Sequence, residues 1–351
     1  MSTENVRLIL HPGMPKCASS SVQTSLISNR EVLRKKNVFV LGADLRIRIE
    51  TSKDKPHGIP YSIIKKCVSG EVSLTRELQQ CCKEIKKDFN VSSFDLVLSS
   101  ELLGFIGRKD GWQLHEELAS IFNDTLVVII VRNPWQHIFS NWRQGVYRQG
   151  LTFKDFSNQK LSTFQNDADY WGSKLSLFEL LYDEVKVLSL DISSDIVSDF
   201  YFQFLTNVED LKTISKKSNK SLSPIFCEIM SEFPEDFTDE LTAGASDKKG
   251  HKNMLKKICI DEVIPSTIFS DTKLKSHTIC IQSLKEHFMS TYLSSLEKYG
   301  IYSDEDINGY ARKVSVTDSS LRNIDVSDEA TSFSESKRML AELLRSMKSF
   351  N

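Results

Sequence analysis

Short apolar runs separated by polar turns dominate the first 200 residues of the chain. Five such runs, rich in Val, Ile, Leu and Phe, lie at 6–10, 38–41, 94–98, 126–131 and 185–190. Runs this continuous are typical of strands that are buried on both faces of a parallel sheet.

Helical patterns lie between these runs, for example at 113–122 and 169–182. Strands that alternate with helices indicate βαβ units. The sequence therefore predicts an α/β fold, a three-layer sandwich with a central, mostly parallel sheet. In such folds the ligand binds at the carboxyl ends of the strands, so the residues that follow the predicted strands are the candidates for a site.

The strand pattern ends near residue 200, and helical patterns replace it. Residues 313–336 are rich in Ser, Asp and Thr, which is typical of a loosely ordered linker. The last stretch places its apolar residues on one helical face, which would pack on the body of the protein or on a second subunit of a homo-oligomer. The boundaries we expect are 1–230 for the core, 231–312 for a helical continuation of the same domain, 313–336 for a polar linker and 337–351 for a C-terminal amphipathic helix.

The composition is ordinary for a globular protein, since 40% of the 351 residues are hydrophobic and 26% are charged. The formal net charge of −2 gives no reason to expect a nucleic-acid or membrane-surface partner. No apolar run approaches the ~20 residues of a membrane span, and residues 1–6 lack the features of a signal peptide. With seven cysteines and no CxxC spacing, we expect a cytoplasmic protein with reduced, buried thiols and no metal site.

The segment between the first strand and the first helix combines a lysine with three consecutive hydroxyls. Residues 11–21 read HPGMPKCASSS. A loop that enters a helix offers backbone N–H groups and the positive end of the helix dipole to a phosphate, and Lys16 adds a mobile charge. The order differs from Walker A, in which Lys directly precedes Ser or Thr. The alternative interpretation is a cluster of serines that merely caps the helix.

A second strand-to-helix junction carries Arg132 at the strand end and Ser140 eight residues later. Between them, Asn133 and Pro134 suit the cap and the first turn of a helix. The planar fork of an arginine can grip a phosphate, and a serine hydroxyl can donate a further hydrogen bond. The alternative for an arginine at a strand end is a surface ion pair.

Taken together, the two junctions resemble the 5′-phosphosulfate and 3′-phosphate motifs of the sulfotransferases that use 3′-phosphoadenosine 5′-phosphosulfate (PAPS). They occur in the order of that family, about 116 residues apart, and the resemblance covers residues 5–225. It implies a fold like that of the P-loop nucleoside triphosphate hydrolases, with a helical C-terminal extension. It also implies PAPS as co-substrate, no metal, and transfer of a sulfuryl group to a hydroxyl of a saccharide or small-molecule acceptor.

The resemblance also assigns roles to individual residues. Lys16 would contact the bridging oxygen and the sulfuryl group. The family typically has Gly where this chain has Ala18, so we expect the loop to manage without the positive φ that glycine allows. The residues that would contact the cofactor are Pro15, Lys16, Cys17, Ala18, Ser19, Ser20, Ser21, Arg132, Ser140, Asn219 and Ser221.

Three residues are candidates for the base that takes the proton of the acceptor hydroxyl. Glu101 follows the third predicted strand, at the expected active edge. His57 lies in a loop after the second strand, where relatives often carry a histidine, and is ranked ahead of Glu101. His11 precedes the serine-rich loop and could instead orient it.

Two other functional classes remain open. A P-loop kinase or NTPase needs a magnesium-binding Ser or Thr directly after its Lys, and Cys17 stands at that position. A nucleotide-binding module without activity would keep the binding residues and lack only the chemistry.

Overall fold

The computed structural model of the chain falls into two units, which are described separately. It describes residues 3–42, 45, 66–67, 69–149, 151–164, 171–212, 227, 280–288, 290 and 298–301. The first unit holds the described residues up to Asn133, those from 171 to 212 and those from 298 to 301. The second unit holds the described residues from 134 to 164 and from 227 to 290.

Five parallel strands form the sheet of the first unit. They are β1 (Val6–Pro12), β2 (Val38–Val40), β3 (Phe94–Ser100), β4 (Asp124–Val131) and β5 (Glu184–Ser189). Their order across the sheet is β2-β3-β1-β4-β5. The predicted α/β class and all five predicted strands are confirmed. The three central strands are buried along most of their length, which explains their continuous apolar runs.

Two central strands extend beyond their apolar runs into buried polar residues. In the pairing of β1 with β3, His11 lies opposite Ser99 and Pro12 lies opposite Ser100. His11, Ser99 and Ser100 are all buried. The carboxyl end of the sheet is therefore lined by polar groups, whereas its middle is apolar.

Helices follow the strands of the first unit along the chain. They are α1 (Ser19–Ser28), α2 (Arg30–Lys35), α3 (Leu74–Asp88), α4 (Lys109–Ile121), α7 (Gly172–Leu181) and α8 (Ile196–Phe202), and a 3₁₀ turn (Glu101–Phe105) follows β3. The helices of the second unit are α5 (Pro134–Gln149) and α6 (Phe153–Phe164).

The strand order fixes the face on which each crossover helix lies. The chain moves in one direction from β1 to β2 and in the opposite direction in the next three steps, so right-handed crossovers place α1 and α2 on one face and α3, α4 and α7 on the other. The contacts agree, since α1 packs on α2 and α8 while α4 packs on α3 and α7. This arrangement is consistent with a three-layer sandwich.

The carboxyl end of β1 is the switch point of this topology. The chain leaves β1 towards one face of the sheet and leaves its neighbours β3 and β4 towards the other. In open α/β sheets the crevice for a ligand lies where neighbouring connections diverge in this way. The loop between β1 and α1 starts at that crevice.

The described residues of the second unit include an aromatic cluster between α5 and α6. Trp142 is fully buried, and its ring lies 5.8 Å from that of Phe139 and 5.2 Å from that of Phe153. The Trp142 Nε1–H donates a hydrogen bond to the Leu151 carbonyl at 2.8 Å, so the polar edge of this large side chain is satisfied.

Several predictions about the C-terminal third lie outside the described residues. They are the polar linker at 313–336, the amphipathic helix at 337–351 with the homo-oligomer that it would form, and most of the helical continuation at 231–312. No helix within the described part of the chain is long and apolar enough to cross a membrane.

The cysteines of the described residues are free thiols. Four are buried, namely Cys17, Cys81, Cys82 and Cys227, while Cys67 and Cys280 are half-buried. The prediction of buried thiols is thus confirmed for four of the six described cysteines.

Candidate functional site

The loop between β1 and α1 has an alternating backbone conformation. Lys16 and Ala18 both adopt a left-handed conformation with φ of 61°, whereas Cys17 between them does not. The Cys17 N–H donates to the Met14 carbonyl at 3.3 Å, which closes a turn. Left-handed residues in a turn bring successive N–H groups together in a concave, anion-binding nest. The loop leads directly into the amino terminus of α1, whose dipole favours anions.

The expectation that the loop manages without a positive φ at Ala18 is wrong. Ala18 has φ of 61° and ψ of 12° and stands as the N-cap of α1. Its carbonyl accepts hydrogen bonds from the Ser21 and Val22 N–H groups, at 2.9 and 3.2 Å. These bonds fix the backbone of Ala18 from the helix side and override its conformational preference, which costs about 1–2 kcal/mol.

We expect Ala18→Gly to raise the free energy of unfolding by about 0.5–1 kcal/mol. Glycine relieves the left-handed strain, and its larger unfolded-state entropy offsets part of the gain. The matched control is Ala119→Gly in the interior of α4, where the same change should lower stability by about 1 kcal/mol. Urea denaturation of both variants measures the two signs, and equal destabilisation of both would show that Ala18 is not strained.

The 3₁₀ turn after β3 closes against the β1–α1 loop. The Gly13 N–H donates to the Ser100 carbonyl at 3.0 Å, and the Ser19 hydroxyl donates to Glu101 Oε1 at 2.9 Å. A Cβ on Gly13 would lie 2.9 Å from the Ser19 Cβ, and one on Gly104 would lie 3.2 Å from the Gly13 carbonyl oxygen. Two glycines therefore allow the close approach that places the Glu101 carboxylate on the serine-rich helix start.

His115 on α4 holds this 3₁₀ turn through a hydrogen bond to the backbone of the turn. Sequence analysis did not identify His115. Its Nε2 lies 2.9 Å from the Leu103 carbonyl and must carry the proton, so its Nδ1 accepts from the Tyr182 hydroxyl at 2.8 Å. Burial lowers the pKa of His115 to about 4. The ring is therefore neutral near pH 7. A lone histidine on the apolar face of a helix has no sequence signal that distinguishes it from an ordinary core residue.

His11, the third candidate base, is completely buried at the end of β1. Its Nδ1 lies 2.7 Å from the Ser99 Oγ, and its ring packs edge-on against Phe200 with a centroid distance of 5.0 Å. Burial lowers the pKa of His11 to about 3. The His11 side chain has no exposed surface, which favours a supporting role at the end of β1 over the role of a base.

Arg132 leaves the end of β4 as predicted, and it has an acidic partner that sequence analysis did not identify. Its Nε donates to Asp191 Oδ1 at 3.2 Å, and the Asn133 N–H donates to Asp191 Oδ2 at 2.6 Å. Asp191 directly follows the apolar run of β5. It therefore occupies the same kind of position as Arg132, directly after a predicted strand.

The β1–α1 loop and the Arg132–Asp191 pair lie close together at the carboxyl edge of the sheet. Burial raises the pKa of the Cys17 thiol above its ordinary range, while the positive charges of Arg132 and Lys174 oppose this shift and Asp191 adds to it. Because β1 pairs with β4 in the sheet, the β1–α1 loop and Arg132 follow neighbouring strands at the same carboxyl edge.

The described residues after β1, β3 and β4 combine a loop that contains Lys16, the exposed carboxylate of Glu101 and the cation of Arg132. Comparisons with known proteins add no relative, because neither a family model nor a curated protein matches this chain. What the site can do therefore follows from its own residues. The loop can hold one phosphate, Arg132 can hold another, and Glu101 can accept a proton.

The remaining candidate residues divide between the two units and the undescribed segments. Ser19 is buried at the start of α1, Lys16, Ser20 and Ser21 are half-buried, and Pro15 is exposed. Ser140 is buried on α5 of the second unit. His57, Asn219 and Ser221 lie outside the described residues. Among the residues that the structure describes, no group of three or more His, Cys, Asp or Glu side chains is placed to hold a metal ion.

Proposed function

We propose that this chain is a PAPS-dependent sulfotransferase that acts on a hydroxyl of a saccharide or small-molecule acceptor. The observation that carries the proposal is the pair of cationic strand ends on neighbouring strands, with Lys16 after β1 and Arg132 after β4. PAPS carries phosphate at both the 5′ and the 3′ position of its ribose. It therefore needs two anion sites within the span of one nucleotide.

In this proposal the β1–α1 loop holds the 5′ end of the cofactor. The hydroxyls of Ser20 and Ser21 and the N–H groups of the first helical turn bind the 5′-phosphate. The acceptor oxygen forms a bond to sulfur while the bond from sulfur to the 5′-phosphate oxygen breaks, which releases 3′-phosphoadenosine 5′-phosphate (PAP). Lys16 stabilises the negative charge that develops on the leaving phosphate.

The proton of the acceptor hydroxyl goes to a base, for which Glu101 and His57 remain the candidates. Glu101 is supported by its contact with the Ser19 hydroxyl, which places a carboxylate at the mouth of the loop.

The contact between Ser19 and Glu101 also supports the second candidate function, a P-loop kinase or NTPase. A hydroxyl beside a carboxylate at a strand end can hold Mg²⁺ together with phosphate oxygens of a nucleotide. Cys17 opposes this alternative, because it stands directly after the loop lysine where such enzymes need a hydroxyl. Dependence on a metal therefore distinguishes the two functions.

Calorimetric titration of the chain with nucleotides distinguishes the sulfotransferase from the kinase or NTPase. We expect PAP to bind more tightly than ATP, with a dissociation constant that is the same in EDTA and in excess Mg²⁺, because cationic side chains neutralise its phosphates. A kinase or NTPase would prefer ATP with Mg²⁺ and would lose that affinity in EDTA. Equal, weak binding of PAP, ATP and AMP would contradict the proposal.

A further inference from the structure

Arg132 is held at three points of its side chain and backbone. Asp191 accepts from its Nε at 3.2 Å and from the following N–H, that of Asn133, at 2.6 Å. The Trp171 Nε1–H donates to the Arg132 carbonyl at 2.7 Å. Hydrogen bonds therefore fix both the backbone of Arg132 and the Nε of its guanidinium.

The guanidinium nitrogen that Asp191 contacts determines which N–H donors of Arg132 remain for a ligand. The ion pair uses the single N–H of Nε, whereas the two terminal nitrogens carry the other four N–H donors. A phosphate binds arginine most strongly through two parallel bonds to such a fork. With Nε tied to Asp191, the fork points in one direction, and its entropy is already reduced before the ligand arrives.

Asp191 also changes the net charge around Arg132. An isolated arginine at a strand end attracts any anion through its net charge, including the 5′-phosphate of an unrelated nucleotide. The ion pair with Asp191 reduces the net positive charge of Arg132, so directed hydrogen bonds contribute a larger share of the binding of a ligand. Selectivity then depends on whether a phosphate group lies at the position to which the fork points.

We propose that Asp191 is the positioning residue through which the Arg132 site selects nucleotides that carry a 3′-phosphate. The inference rests on the proposed function, because it assumes that the 5′ end of the nucleotide occupies the β1–α1 loop. In this inference Asp191 acts through its hydrogen bonds to the Arg132 Nε and the Asn133 N–H.

The test is a double-mutant cycle on the full chain, with the affinities for PAP and AMP measured by calorimetry. These two probes differ only in the 3′-phosphate, so the ratio of their dissociation constants isolates the contribution of that group. We expect the wild type to prefer PAP by about 30-fold or more, the value of one good charge-assisted contact. Asp191→Asn keeps the shape of the side chain and should reduce that preference by about tenfold, without weakening the binding of AMP.

The cycle separates positioning from general structural damage. In the Arg132→Ala background, Asp191→Asn should cause no further loss of preference, because the group through which it acts is already gone. The matched control is Asp195→Asn, since Asp195 also accepts backbone N–H bonds after β5, but at the start of α8. That variant should keep the wild-type preference.

The outcomes distinguish the inference from the function on which it rests. A wild type without preference for PAP over AMP overturns both. A wild type that prefers PAP, together with an Asp191→Asn variant of unchanged preference, overturns only the role of Asp191. An equal loss of PAP and AMP affinity in Asp191→Asn also overturns that role, because it shows structural damage and no selectivity for the 3′-phosphate.

Discussion

Replacing the base is expected to lower turnover by a factor of about 10²–10⁴ while PAP binding persists. The two variants to compare are Glu101→Gln and His57→Ala. A base must be deprotonated to act, so the rate rises with pH through the pKa of the base. A histidine base places that rise around pH 6–7, and a carboxylate base would place it at lower pH. The pH–rate profile of the two variants checks the prediction, because only the true base removes the rising limb.

A carboxylate with a purely structural role is the control for this comparison. Glu117 accepts hydrogen bonds from the N–H and the hydroxyl of Thr75 at the start of α3, and Glu117→Gln should change stability but not the pH profile. If neither Glu101→Gln nor His57→Ala lowers turnover tenfold, then neither residue is the base.

The second large effect distinguishes a role of Lys16 in turnover from a role of Arg132 in cofactor binding. Lys16→Ala should lower turnover by about 10²–10³, because its charge matters most as the leaving phosphate develops. Arg132→Ala should weaken PAP binding by about 2–4 kcal/mol, because it removes a partly buried, charge-assisted contact and leaves Asp191 without its cation. Steady-state kinetics for the first variant and calorimetry for the second measure the two effects.

These roles would be wrong if Arg132→Ala left the dissociation constant of PAP unchanged and Lys16→Ala left the rate unchanged. Lys35→Ala at the end of α2 is the matched control, because it removes the same positive charge away from the β1–α1 loop. It should leave both quantities at the wild-type value.

The strands could be predicted from the sequence because both faces of the central sheet are buried. The run of apolar residues in β4, for example, has no polar position after Thr125, and the structure buries every residue from Leu126 to Val131. The order of the strands could not be predicted in this way. The pairing of β1 with both β3 and β4 depends on contacts between residues about 90 and 120 positions apart, which leave no trace in local patterns.

The candidate site could be predicted where it depends on residue type at a strand end, as for Lys16 and Arg132. Asp191 belongs to the same class of position and was missed. The left-handed conformation of Ala18 could not be predicted, because hydrogen bonds from the first turn of α1 override the preference of alanine. Nor could the role of His115, whose contacts with Leu103 and Tyr182 arise only from tertiary packing.

A crystal structure of the chain with PAP tests the central claim most directly. The account predicts the 5′-phosphate within hydrogen-bonding distance, about 3 Å, of the serine hydroxyls and N–H groups that follow Lys16. It also predicts the 3′-phosphate on the terminal nitrogens of Arg132, with Asp191 still bound to Nε. A complex in which the 5′-phosphate lies away from this loop, or in which the 3′-phosphate does not contact Arg132, would contradict the proposed function.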